Sequence, residues 1–460
     1  MKYTALTIGP IVDTITLGRK TSEIWMASYL FSSFMKKSIK KIKALDGVEF
    51  VIPYVDDDAI FEEQDNGVGM FHDRFIFKSE DVSLEQVEKI LQEEKDALSN
   101  MIATSIKRDK QKVKAFFDQY FQTYLFETTQ DFDDPINEIS KIMDSLELHT
   151  PPLESDEDYI RLFLNRDIVL KSTLAKASFG KKPSFDSIEA IAAQELDKDM
   201  SSASNAHKYI AIIYADGDNL GKYIKGQKDV TQISKRLFDF DEEASKTIRK
   251  KHGALPIFIG GDDLIIFAPV INGEKTVFDL LNDLSQDYKN ALNTDKSTLS
   301  FGVSLTYYKY PLYEALERSR NALFDVAKNY KVGDKEKNAI ALSAQKHSGQ
   351  SFDFCVGKNS ETYTKFLDLV KSVLVEGLEL PHAIHHKLKS YEKLFESIDF
   401  KESLNNTFEN IFNEDLHQDK FKKGLDEIRE LMLVLGNSKE AQNQLFSMLS
   451  TIKLLRGDRK

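Results

Sequence analysis

The chain has 460 residues, a formal net charge of −12 and a single cysteine, Cys355. This length allows several domains, each with its own core, and one cysteine excludes an internal disulfide and any Cys-rich zinc ribbon. The acidic balance argues against nonspecific coating of nucleic acid, which draws its energy from counterions displaced by a basic surface, but leaves room for a local RNA groove. No apolar run reaches bilayer length and the start lacks a signal-peptide pattern, so the expectation is a cytoplasmic protein with no membrane partner.

Over the first 82 residues the apolar spacing predicts a strand (Tyr3–Ile8), a helix (about Arg19–Lys43), two strands (Val48–Tyr54 and Arg74–Phe77) and a helix resuming after Ser83. That order suits a degenerate ferredoxin-like unit, the split βαβ. Residues 83–206 are mostly helical and charged, with Asp-Asp-Pro and His-Thr-Pro-Pro breaks, and are expected to form a helical middle domain. The ferredoxin-like order then recurs across 207–350. A strand runs to Ala215, and helix follows from Leu220 and again over Val230–Lys251. Strands Ala254–Ile259 and Leu264–Ala268, helix Glu274–Leu292, strand Thr298–Thr306, helix Leu312–Lys328 and strand Ala339–Ser343 complete it. Residues 351–460 carry helical periodicity in Tyr363–Val375, Asp399–Phe412, Lys420–Leu435 and Lys439–Leu455, predicting a helical bundle. The expected fold class is therefore α+β: two ferredoxin-like domains separated by a helical domain and followed by a helical bundle.

Two acidic clusters stand among these strands. Asp216-Gly217-Asp218-Asn219 ends one strand, and Gly260-Gly261-Asp262-Asp263 lies between two others. A glycine pair lets the backbone turn with positive φ and delivers the following aspartates to the tip of a hairpin. Two carboxylates about 4 Å apart repel by roughly 4 kcal/mol at an effective dielectric of 20, so Asp216, Asp218, Asp262 and Asp263 on apolar strands call for a divalent cation. The pattern suits two-metal nucleotidyl transfer, with Asp216 and one or both of Asp262 and Asp263 on the metals, the Gly217 carbonyl a further ligand and Asp218 supporting them. Against a calcium loop, positions 5 and 12 are Leu220 and Gln227. Lys222 and Lys328 are lysines at helix ends, where most merely offset the dipole. The run from Lys36 to Lys43 reads as a solvated helix face. His382, His385 and His386 open a helix without a carboxylate partner, and His72-Asp73 has the dipeptide of HD phosphohydrolases without the preceding histidine.

The segments Arg19–Ser32, Lys182–Ala192, Asp216–Lys222, Gly260–Asp263, Tyr310–Leu316, Lys337–Ala341 and Ser348-Gly349 together resemble the large polymerase-like subunit of type III CRISPR effector complexes, Cmr type, over nearly the whole chain. The resemblance implies two facing palm domains and ATP bound between them. It also implies a target-RNA-activated nucleotidyltransferase (cyclase) that makes cyclic oligoadenylate in an antiviral complex with other Cmr subunits, guide RNA and target RNA. By that carry-over Asp216, Asp262 and Asp263 are catalytic residues holding Mg²⁺ or Mn²⁺. Gly217, Asp218, Asn219, Gly260, Gly261 and Lys328 serve nucleotide binding, with Lys328 on the triphosphate. Many family members begin with an HD nuclease, whereas this sequence begins at the first palm, so DNA cleavage is not expected. Some nuclease-less members join ATP to S-adenosylmethionine, which stands as an alternative co-substrate. A stand-alone cyclase related to diguanylate cyclases and a non-catalytic RNA-binding scaffold are the competing readings.

Overall fold

The computed structural model describes residues 2–62, 67–130, 132, 134–149, 152–196, 204–225, 230–333, 335–381, 383–416 and 419–457. The first unit starts with β1 (Lys2–Gly9), a short α1 (Ile11–Leu17) and the long α2 (Thr21–Lys43). In α2 the apolar residues Ile24, Ala27, Phe31, Phe34, Ile39 and Ile42 recur at helical spacing and are all buried. Each such Ile or Phe contributes about 1.5–3 kcal/mol by leaving water. Lys40, Lys41 and Lys43 crowd the last turn, where positive charge opposes the helix dipole. After β2 (Glu49–Ile52) and β3 (Arg74–Ser79), α3 (Leu84–Ile106) opens with a capping box between Ser83 and Gln86. Then come α4 (Lys110–Tyr120) and β4 (Gln122–Thr128). The sheet order is β2-β3-β1-β4, antiparallel throughout.

The same order is built again further on. β5 (Tyr209–Asp218), β6 (Leu255–Gly260), β7 (Asp263–Pro269), the short pair β8 (Ile271–Asn272) and β9 (Lys275–Thr276), and β10 (Thr298–Tyr307) precede β11 (Lys331–Val332), β12 (Lys335–Glu336), β13 (Ala339–Gln345) and β14 (Ser351–Gly357). The large sheet runs β14-β13-β10-β5-β7-β6. Its part β10-β5-β7-β6 has the ferredoxin-like order, so the repeat legible in element order is a repeat of topology, with two further strands appended.

Two expected boundaries cut through sheets. The first sheet takes its fourth strand from β4, inside the segment read as a helical domain, because β1 leaves an open edge that residues 122–128 pair along their length. Likewise β14 belongs to the second sheet, pairing with β13 from Ala339↔Gly357 to Gln345↔Ser351, although 351 was the expected start of the bundle.

Both faces of β5 are covered. Ala211, Ile213 and Ala215 join a core with Phe240, Phe278 and the C-terminal helices, whereas Ile210, Ile212 and Tyr214 join the core that also holds Trp25, Phe31 and Phe77 of the first unit. A strand buried on both faces reads as a continuous apolar run, as this one does. Trp25 is fully buried, stacks on Tyr29, meets Phe179 and Phe185 at 4.9 and 5.1 Å, and donates its indole N–H to the Gly67 carbonyl at 2.8 Å. The segment after Lys182 thus clamps α2. C-terminal helices Glu361–Leu374, Phe400–Ile411, Asp419–Leu435 and Lys439–Arg456 follow the predicted periodicity and pack on the second sheet's core.

Candidate active site in the cleft between the two ferredoxin-like units

Hairpin β6–β7 closes on the Gly260↔Asp263 pair, leaving Gly261 and Asp262 as a two-residue loop. Of these two only Gly261 has positive φ, 67°, the type II′ pattern that matches strand twist. Its amide donates to the Asp241 carboxylate at 2.8 Å. Asp241 lies on the helix Val230–Lys246, on the same stripe as Ile233, Leu237 and Ala244, and is 1% exposed. Burial holds its carboxyl well above the usual range. The sequence signal was there to read, since a carboxylate on an apolar helical stripe needs a buried donor.

The last paired residues of β5 and β7 are Ala215 and Leu264, so Asp216 and Asp263 lie one step further along adjacent strands. Gly217 lies against Asp262: a Cβ there would fall 2.3 Å from Oδ2 of Asp262. Only glycine permits that approach. Asp262 is therefore enclosed, and burial, then the charge of Asp216, push its carboxyl up to about 7. Asp263 is exposed where it opens onto the cleft. Burial, then the charges of Asp262, Asp216 and Asp73, raise it well above the ordinary value. Asp216 is raised too, by burial, against the opposing pull of Lys328.

Asp218 sits apart from this trio. It is 0% exposed, and its Oδ2 accepts from Thr298 Oγ1 (2.9 Å), Ser300 Oγ (2.7 Å) and the Asn338 amide (2.9 Å). Such saturation makes it an anchor of the strand end. Lys328, on the turn Ala327–Asn329, donates to the carbonyls of Asp216 (2.9 Å) and Gly217 (2.7 Å) and to Asp218 Oδ1 (2.9 Å), with Asp216 Oδ2 at 2.5 Å. The ammonium thus neutralises the Asp216 end and takes the Gly217 carbonyl that was expected on a metal. Among the described residues no group of three His, Cys, Asp or Glu side chains has a metal-holding arrangement. Asn219 adopts left-handed φ (58°) and starts the helix Leu220–Ile224, on which Lys222 is exposed.

Residues of the first unit that sequence reasoning set aside complete the site. A Cβ on Gly261 would lie 2.8 Å from His72 Cε1, so the imidazole rests on the glycine turn. Burial pushes His72 down to about 4 and Asp73 up to about 6. A cavity of about 370 Å³ opens here, walled by Tyr54, His72 and Asp73 on one side and Leu220, Asp241 and Asp263 on the other. That volume falls in the range of small-molecule sites. Their only advance notice was the His-Asp dipeptide, whose significance is spatial. His382 lies outside the described residues, and His386 pairs with Ser390 Oγ at 3.0 Å.

A twin ferredoxin-like chain with a Gly-Gly-Asp-Asp hairpin facing its first unit is a palm-domain protein. Residues 209–341 match the family described as Cas10/Cmr2, second palm domain, and residues 3–113 match CRISPR-associated protein Cmr2, N-terminal; together these cover more than half of the chain. The chain belongs to the Cas10/Cmr2 family. The CRISPR system Cmr subunit Cmr2 of Pyrococcus furiosus is 26% identical over 256 residues, 47% of this chain and 29% of that protein. The matched part thus spans under a third of the curated relative. Among solved structures, type III-B Cmr-beta in its apo state aligns with TM-score 0.62 at 11% identity, covering 98% of this chain and 82% of that one. The same assembly bound to cognate target RNA gives 0.59, 11%, 92% and 78%. A Csm1–Csm4 cassette in complex with pppApA gives 0.57 at 12%, covering 95% and 69%.

Proposed function

We propose that this protein is the nucleotidyltransferase subunit of a type III CRISPR complex, working in the cytoplasm with other Cmr-type subunits, guide RNA and target RNA. When target RNA is bound, it would convert ATP to a cyclic oligoadenylate or to a conjugate of ATP with S-adenosylmethionine. The observation that carries this reading is the placing of Asp216 and Asp263 one step beyond the paired ends of adjacent strands, with Asp262 in the loop against Gly217 and Asp263 lining the cleft. Carboxyls raised by burial in this way would give up their protons to a divalent cation. Asp216, Asp262 and Asp263 would hold Mg²⁺ or Mn²⁺, which when bound supplies Lewis acidity and offsets phosphate charge.

In the oligoadenylate reaction the 3′-hydroxyl oxygen of one nucleotide bonds to the α-phosphorus of another, the bond to the bridging oxygen breaks, and pyrophosphate leaves. The chain contributes position. Gly217 and Gly261 let the two strand ends approach, the Asp241–Gly261 hydrogen bond fixes the hairpin, and Asp218 anchors β5 to β10. Lys328 stands at the same strand end and would bring its positive charge to the triphosphate, with Gly260 and Asn219 shaping the surrounding turns. The Csm1–Csm4 cassette that shares this fold was solved with pppApA, a linear adenylate, which supports adenine nucleotides as the substrate class.

Mass spectrometry of products from the assembled complex, given target RNA, ATP and Mg²⁺ with and without S-adenosylmethionine, tests the reading. Adenylate rings or an adenylated S-adenosylmethionine are expected. A guanylate product from mixed triphosphates would point to the diguanylate-cyclase relationship, and no product at all would leave a scaffold.

A further inference from the structure

A second cleft lies at the opposite end of the same strands. Tyr209 begins β5 and Tyr307 ends β10, placing them roughly 23 Å along the sheet from Asp216 at about 3.3 Å per residue. Around them a cavity of about 380 Å³ is lined by Lys208, Lys346, Lys453 and His347, with no Asp or Glu among its lining residues. Lys208 donates to the neutral Asn205 Oδ1 (3.0 Å) and Lys346 to Gln350 Oε1 (3.2 Å). Burial and the charge of Lys453 together lower Lys346. On α2, by contrast, Lys41 meets Glu94 at 2.8 Å and Lys43 meets Asp58 at 2.7 Å, so two of the lysines in the densest basic run are paired with carboxylates. In the cleft, lysines are gathered in a chain of net charge −12, and no carboxylate stands among its described lining residues.

Aromatic rings share the site. Tyr307 lies 4.6 Å from Tyr308, 5.3 Å from the exposed His347 and 6.0 Å from Tyr209, and Lys309 stands over Tyr308 at 5.4 Å. Cations that track phosphates, interleaved with rings on which bases stack, are the elements of single-strand binding. A duplex keeps its bases stacked inside and offers no ring faces to such a hollow.

We infer that the cleft formed by Lys208, Lys346, Lys453, Tyr307 and His347 binds a single-stranded RNA segment, phosphates on the lysines and a base against the rings. The inference does not depend on nucleotidyl transfer. The test is fluorescence anisotropy of the full chain with a labelled single-stranded oligoribonucleotide over a salt series. Replacing two phosphate-contacting lysines in K346Q/K453Q should reduce the slope of log K against log salt by about 1.4, and exposed K453Q alone by about 0.7. Exposed H347A should weaken binding roughly five- to 150-fold if its ring carries a stacked base. Unchanged slope and affinity in all three, with unchanged melting temperatures, would overturn the proposal. So would loss of a protein subunit from the assembled complex with RNA affinity intact, since the cleft would then fit an acidic protein surface.

Discussion

Gly217 and Asp218 show how single residues set this site. At Gly217 any side chain would meet Asp262, so G217A should displace the hairpin: overpacking costs about 1–3 kcal/mol of stability, and a shift near 1 Å costs about a hundredfold in turnover. Chemical denaturation and product formation measure the two; near wild-type turnover would mean the Asp262 position is immaterial. Asp218 is fully buried and pairs with Lys328 at 2.9 Å. Removing one partner of a buried pair costs about 3–5 kcal/mol, so D218A should lower unfolding free energy by that order, with binding of Mg²⁺ secondary to it. At this scale the sequence announced Asp216, Asp262, Asp263 and the glycines, because their spacing against apolar strands is local information. It did not announce the place of His72 and Asp73, and Asp241 shows in it only as a carboxylate on an apolar helical stripe. The meeting of His72 and Asp73 with the hairpin depends on how the two ferredoxin-like units pack together, whereas Asp241 reaches Gly261 from within the second unit. Lys328 was legible as a lysine of the site, but its four oxygens only appear once β5 and the turn Ala327–Asn329 meet.

Between elements, Lys95 ties α3 to the start of β4. It is 8% exposed and donates to the Phe121 carbonyl and Thr123 Oγ1, both at 2.9 Å. Burial lowers its pKa to about 8, below about 10.4 in the unfolded chain. Between those values the unfolded state binds more protons, so stability rises with pH there, while the penalty for burying the charge is constant below about 8. Denaturation of wild type and K95M from pH 7 to 11 should show the wild type gaining on the order of 2–3 kcal/mol relative to the variant. A pH-independent difference would show that the amine is not desolvated. Element order was the most legible level of the fold: three strands of the first ferredoxin-like unit and the four of the second follow from period-two patterning, and their long helices from helical spacing. β4 and β14 fall in segments read as helical, because the pairing edge that makes each a strand lies in a distant part of the chain.

Across the molecule, one core contains Trp25 and Phe31 of the first unit together with Ile212 and Phe267 of the second. Gly69 forms a parallel bridge with Phe258, and Arg249 donates to the Gly67 carbonyl at 2.8 Å. Shared burial makes the palms one cooperative body, so calorimetry should give one transition spanning both. A separate early transition for residues of the first unit would contradict that, and with it the rigid cleft. Among the described residues no helix is long and apolar enough to cross a membrane.

The account stands on carboxylates at this cleft driving nucleotidyl transfer. Pyrophosphate release by the assembled complex, supplied with target RNA, ATP and Mg²⁺, measures it most directly. Wild type should release pyrophosphate only with target RNA, and D262N/D263N should fall to background while still assembling and binding that RNA. Wild-type rates from the double variant would contradict the account.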